Sequence, residues 1–121
     1  MILVDTSIWI DHLRAAIPAL QSHLERNQIA SHPHVIGEIG LGSLRDRVTI
    51  YTMFQQLPQA TVASHEEVLI MIETHELFAR GIGYVDAHLL ASTRLTPDAR
   101  LWTRDRRLET AAQALGIAFQ P

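Results

Sequence analysis

Cysteine and lysine are both absent from the 121 residues, aromatic side chains make up only 6% of them, and no apolar run is long. Each absence excludes something. Without cysteine there is no disulfide framework, and nothing points to an oxidising compartment. Without lysine the chain cannot build a P-loop, form a Schiff base, or supply the lysine of a receiver-type phosphoacceptor domain. The opening apolar run, Met1 to Val4, stops at Asp5, far short of a signal-peptide core or a membrane span. The expectation is a water-soluble, cytoplasmic protein with no membrane partner.

What remains is a globular composition: 47% hydrophobic residues, ten basic residues that are all arginine, 13 acidic residues and a formal charge of -3. A chain of this length buries about two-thirds of its unfolded surface, enough for a core without covalent staples. No repeat, low-complexity tract or linker interrupts it, so residues 1–121 read as one domain. Arginine's planar, permanently charged head suits phosphate oxygens. The negative balance argues against a polyanionic partner only until four acids are set aside for a metal, which leaves nine against ten arginines.

Met1-Ile-Leu-Val4 has the unbroken apolar character of a strand buried on both faces, and Asp5-Thr6-Ser7 offers helix-cap chemistry directly after it. A short helix through Trp9 and Leu13 follows, then one from Pro18 to Arg26, a strand over Gln28 to Ser31, and a helix begun by His32-Pro33 that carries Glu38. From Leu44 to Leu57 apolar residues occur at 44, 48, 50, 51, 53, 54 and 57. That exceeds one buried stripe and marks part of the segment, Phe54 included, for a partner. Ala60 to Ala63 reads as a strand, and Ser64-His-Glu-Glu67 as a capping box opening a helix through Leu77 and Phe78. Val85 to Arg94 is a helix, Leu101 to Thr103 a strand, Arg106 to Leu115 a helix stopped by Gly116, and Ile117 to Phe119 a last strand. The alternation predicts an α/β fold with a mostly parallel central sheet of about five strands, covered on both faces by helices.

Sheets of this kind bind ligands beyond the carboxyl ends of their strands. Asp5 and Asp105 both fall just past such an end, and adjacent strands would bring them to about 5 Å of each other. Glu38 sits among Val35, Ile36, Gly37, Ile39 and Gly40, where a carboxylate needs a role, and Asp86 lies at a helix start followed by Ala87-His88-Leu89-Leu90. Taken singly, each acid also has a structural use: Asp5 and Asp105 as helix caps, Asp86 as a first-turn acid favoured by the helix dipole, Glu38 as a solvated helix residue.

The set, in this order and on this plan, resembles the PIN-domain ribonucleases and, within them, the VapC-type toxins of bacterial toxin and antitoxin modules. The matching segments are Ile2-Leu-Val-Asp5-Thr-Ser-Ile-Trp9, Val35-Ile-Gly-Glu38-Ile39, Gly83-Tyr-Val-Asp86-Ala-His-Leu-Leu-Ala91 and Leu101-Trp-Thr-Arg-Asp105, spread over nearly the whole chain. The resemblance implies a three-layer α/β/α PIN-like domain with Asp5, Glu38, Asp86 and Asp105 as the catalytic cluster. It also implies hydrolysis of RNA that leaves a 3′-hydroxyl and a 5′-phosphate, a cognate antitoxin occupying the cleft, and a homodimer within that complex.

Four carboxylates drawn together stay ionised only when cations or protons compensate. An all-oxygen donor set suits Mg²⁺ or Mn²⁺ better than Zn²⁺. Asp5 and Asp86 are the expected direct ligands, with Glu38 and Asp105 completing the shell, positioning water or accepting its proton. Thr6, Ser7 and Thr103 are candidates to hydrogen-bond these carboxylates, or simple cap residues. Arg94, Arg100, Arg104, Arg106 and Arg107 form a candidate phosphate-binding stretch. Trp9, Tyr84 and Trp102 are candidate base-stacking rings, with core packing the better use for the two tryptophans. The histidines, His32 and His34 included, match no zinc spacing. Two rival readings remain. A haloacid-dehalogenase-type phosphatase needs a second aspartate where this chain has Ser7, and a lysine; a PIN-like fold that only binds a partner needs no turnover.

Overall fold

The apolar run at the N-terminus forms the central strand. In the computed structural model, which describes residues 1–121, β1 (Ile2–Val4) pairs in parallel with β2 (Ile29–Ala30) on one side and β3 (Arg100–Trp102) on the other. The register aligns Ile2 with both Ile29 and Arg100, and Val4 with Trp102. Successive strand residues point to opposite faces, and every residue of β1 is buried, so both faces of the sheet are covered. Seven helices surround it: α1 (Thr6–Arg14), α2 (Pro18–Glu25), α3 (Pro33–Gly40), α4 (Arg47–Gln56), α5 (His65–Thr74), α6 (Tyr84–Leu95) and α7 (Arg106–Ala114).

The expected five strands reduce to three, for a hydrogen-bonding reason. At the two edges only isolated parallel bridges form, Ser31 with Gln59 just ahead of the expected strand Ala60–Ala63, and Leu101 with Ala118 within Ile117–Phe119. Past Ala60 the backbone leaves the sheet, because Thr61 N–H donates to Thr96 Oγ1 and Ala63 N–H to Ser92 Oγ. At the other edge, Arg100 N–H donates to Met1 and the Trp102 carbonyl accepts from Asp5 N–H, both toward β1. Leu101 alone is left to pair outward.

Helix ends follow local chemistry with two corrections. Ser64 caps α5 as expected: its hydroxyl accepts from Glu67 N–H at 3.1 Å, and Glu67 Oε1 accepts from Ser64 N–H at 2.9 Å. The helix nevertheless stops at Thr74, short of Phe78, because Glu76 takes a left-handed φ of +50° and sends the buried Leu77 into the core from a turn. The Leu44–Leu57 segment becomes helical only from Arg47.

One cluster of 25 buried residues, from Ile2 to Ala112, makes the hydrophobic core. Trp9 and Phe54 meet inside it edge to face, ring centroids 4.8 Å apart. Phe54 is therefore core rather than a partner contact. Leu44, Ile50, Met53 and Leu57 also pack against the core, leaving Val48, 80% exposed, as the segment's one outlying aliphatic residue.

His32 joins α3 to α6 from inside. It is fully buried, its Nδ1 accepts from His34 N–H at 3.0 Å to cap α3, and its Nε2 lies 2.9 Å from Ser92 Oγ. With Nδ1 accepting, the ring is neutral and carries its proton on Nε2. Burial first, and then His34 and His88, push its pKa down to about 4.

Phe54→Ala is expected to cost about 3–5 kcal/mol, read as a lower urea midpoint at unchanged slope. His32 holds a proton more weakly folded than unfolded, so its contribution is complete above 6.5 and is lost as pH falls from there toward about 4. His32→Asn, which caps without titrating, should make the pH dependence of the urea midpoint shallower across that window.

Candidate active site

Four acids reach one end of the sheet by four different routes. Asp5 follows β1 and occupies the cap position of α1, yet makes no capping bond. Its Oδ2 accepts instead from Ser7 Oγ at 2.8 Å and from Thr103 Oγ1 at 2.7 Å. At 6% exposure a carboxylate needs such donors to offset its lost hydration. The use of Asp5 as a cap is thereby overturned.

The two hydroxyls are themselves held by the chain leaving β3. Arg104 N–H donates to Ser7 Oγ at 3.3 Å and Asp105 N–H to Thr103 Oγ1 at 3.0 Å. A continuous chain of hydrogen bonds thus ties the carboxylate after β1 to the backbone after β3. Asp105 then caps α7, its Oδ1 accepting from Arg107 N–H at 2.9 Å and Leu108 N–H at 3.1 Å. Asp86, the third residue of α6, accepts from Gly83 N–H at 3.2 Å through Oδ2. Glu38 on α3 accepts from Thr6 Oγ1 at 2.6 Å through Oε1.

Asp86 and Asp105 do serve their helix starts, as the structural readings allow. Each of the four carboxylates, however, is tethered through a single oxygen. Asp5 Oδ1, Glu38 Oε2, Asp86 Oδ1 and Asp105 Oδ2 accept no hydrogen bond from the protein. No cation of the protein neutralises them either, since the one ion pair joins Arg104 to Asp11.

Asp86 registers the consequence. Burial raises its pKa, the bond from Gly83 N–H opposes the rise, and the charges of Asp5, Asp105 and Glu38 add to it. The four acids therefore share one electrostatic environment. No three histidine, aspartate or glutamate side chains close into a ready-made coordination sphere, so the acids sense one another without being drawn into contact. Four free carboxylate oxygens with no thiolate and no competing guanidinium fit a hard divalent cation.

The surroundings divide the other candidates. Arg104, Arg106 and Arg107 flank Asp105 in the chain, and Arg107 lies across Gly81, whose φ is +75° and where a Cβ would stand 2.8 Å from Arg107 Cδ. Arg94 is eight residues along α6 from Asp86, about 12 Å by helical rise, and bonds to His75. Arg100 opens β3 at the opposite end of the strand and donates to the Gly116 carbonyl. The five arginines are not one patch. Trp9 and Trp102 are buried, while Tyr84 is exposed.

Sequence reasoning missed a line of imidazoles beside the acids. His34 and His88 stack with centroids 4.5 Å apart, and Tyr84 Oη lies 2.9 Å from His88 Nε2 and 2.5 Å from His65 Nδ1. The spacing of Tyr84 and His88, four apart on one helix, was the available signal. Asp86→Asn removes a charge that burial and three like charges disfavour, while its amide oxygen can still accept from Gly83 N–H. In EDTA at neutral pH, calorimetry should show its Tm rising by roughly 2–4 °C, a modest gain because a half-buried carboxylate is partly screened by water.

The PIN domain family model matches residues 2–114. Two curated relatives, each named Ribonuclease VapC32 and found in the CDC 1551 and H37Rv strains of Mycobacterium tuberculosis, are 47% identical over 119 residues, 98% of this chain and 96% of theirs. The chain belongs to the PIN-domain family and, within it, to the VapC-type proteins.

Proposed function

We propose that residues 1–121 act as one PIN domain, a Mg²⁺-dependent endoribonuclease that is the toxin of a type II toxin and antitoxin module, with Asp5, Glu38, Asp86 and Asp105 as its catalytic residues. One observation carries the reading. Four carboxylates from separate chain segments gather at the sheet's carboxyl end, each with one oxygen free of protein partners and none paired with an arginine. The name ribonuclease borne by the relatives supports the reaction class.

Asp5 and Asp86 would hold the ion, Mg²⁺ or Mn²⁺. When bound, it supplies Lewis-acid chemistry: a lowered pKa for the attacking water and relief of charge developing on the phosphate. Glu38, held by Thr6 on the exposed side, would accept the proton of an attacking water, and Asp105 would orient that water. Ser7 and Thr103 are positioning residues that aim the free oxygen of Asp5. Arg104, Arg106 and Arg107 offer guanidinium groups to RNA phosphates beside Asp105. Hydrolysis leaves a 3′-hydroxyl and a 5′-phosphate.

The cognate antitoxin would lie in a groove of about 890 Å³ that includes Glu38 in its wall and is otherwise lined by Ile10, Leu13, Ile39, Leu44 and Ile50 among others. An apolar segment lying there would stop next to a catalytic acid. A homodimer within that complex and a cytoplasmic location complete the reading; no helix is long and apolar enough to cross a membrane. Neither rival is favoured. The phosphatase lacks its lysine and its second aspartate, and the hydroxyl at residue 7 is committed to Asp5.

RNA cleavage should need added Mg²⁺ or Mn²⁺, stop in EDTA, and fall by more than about 100-fold in Asp5→Asn. Turnover undiminished by chelation or by that substitution would refute the metal site, and a wild type that cuts no RNA would leave partner binding alone. Thr103→Val keeps the shape but removes the donor to Asp5. Activity should drop about 10–100-fold, with a higher Mg²⁺ requirement and a folded chain by circular dichroism.

A further inference from the structure

Of the three rings that sequence reasoning offered for base stacking, the fold leaves one in water. Trp9 is 0% and Trp102 5% exposed, whereas Tyr84 is 45% exposed. Its position is tightly defined despite that exposure. The hydroxyl is engaged by His65 at the start of α5 and by His88 one turn along α6. A phenol has one proton, so it donates to one imidazole and accepts from the other. Neither bond leaves the ring free to swing. His88 is itself 5% exposed, meets Tyr84 edge to face at 4.7 Å and 88°, and is backed by His34.

The location is equally specific. Tyr84 opens α6 directly after Gly83, whose N–H tethers Asp86. The same helix pair that sets His34 against His88 sets Glu38 within the electrostatic reach of Asp86. The loop leading into Tyr84 is crossed by Arg107, two residues from Asp105. An exposed ring with two hydrogen bonds fixing its edge therefore sits within one helical turn of a catalytic acid.

We propose that Tyr84 is the stacking platform that selects unpaired RNA, seating a base beside the scissile phosphate, an inference that rests on the ribonuclease reading above. Proteins seize splayed bases by stacking them on aromatic faces, and such stacks depend little on which base is present. A base inside a duplex already has both faces covered, so the platform disfavours paired substrate. His65 and His88 are positioning residues for the ring. Stacking is made equally before and during reaction, so it governs KM rather than kcat.

The test uses Asp5→Asn protein, which is expected to bind without cutting, and a fluorescent single-stranded oligoribonucleotide read by anisotropy. Adding Tyr84→Leu should weaken binding about tenfold, Tyr84→Phe should stay within about threefold, and a duplex of the same sequence should be indifferent to both. With Asp5 intact, Tyr84→Leu should raise KM and leave kcat nearly unchanged. Equal binding by the leucine variant overturns the proposal, and so does a phenylalanine loss as large as the leucine one, which would assign the effect to the hydroxyl. Photocrosslinking of a 4-thiouridine oligonucleotide needs no substitution at residue 84: an adduct on Tyr84 supports the platform, and adducts confined to other segments overturn it. Wild type that cuts RNA while ignoring Tyr84 sinks the platform alone. Wild type that neither binds nor cuts RNA sinks the ribonuclease reading with it.

Discussion

Like charges do not gather without cost, and at the carboxyl end of this sheet four carboxylates share one field. The fold holds them with neutral donors throughout: two hydroxyls on Asp5, one on Glu38, one backbone N–H on Asp86 and two on Asp105. A guanidinium in any of those places would have relieved the repulsion and cancelled the charge. Arg104 is next to Asp105 in the chain, yet its side chain pairs with Asp11 instead. Negative charge is thus kept in place and left for something outside the protein to balance. Burial raises the pKa of Asp86, and the charges of Asp5, Asp105 and Glu38 add to that rise.

The supporting structure is slight, which makes the tethers do double duty. Strands of two and three residues leave few ladder bonds. The hydrogen-bonded chain from Asp105 through Thr103, Asp5 and Ser7 to Arg104 therefore also fastens β1 to the loop beyond β3. A comparable join links α3 and α6, where His32 reaches Ser92 and His34 stacks on His88. Because Glu38 rides on α3 and Asp86 on α6, the packing that stabilises this pair also sets the separation of two of the acids proposed for catalysis. Site geometry and core packing are consequently hard to alter independently.

Several elements were legible because their causes are local. Met1 to Val4 reads as a buried strand from its own side chains, Ser64 and Glu67 make their capping box within four residues, and His32-Pro33 marks the start of α3. The four acids were marked in the sequence only through segments that resemble one family. Their tethers were not, since Thr103 and Asp5 are 98 residues apart and Thr6 and Glu38 are 32 apart. Phe54 was marked for a partner contact because an apolar count along α4 does not tell which side Trp9 occupies.

Composition, apolar pattern and cap chemistry by themselves determined the buried first strand, the position of most helices, and the lack of thiol and amine chemistry, all of which depend on residue type or on neighbours within a turn or two. Tertiary structure alone decided that Thr61 and Ala63 spend their N–H groups on Thr96 and Ser92 rather than on a fourth strand, that Arg94 and Arg100 stand away from the acids, and that of Trp9, Tyr84 and Trp102 only Tyr84 is left in water. The reason is physical: a hydrogen bond or a charge acts over a few ångströms of space, and only the folded chain sets which distant residues fall within that range.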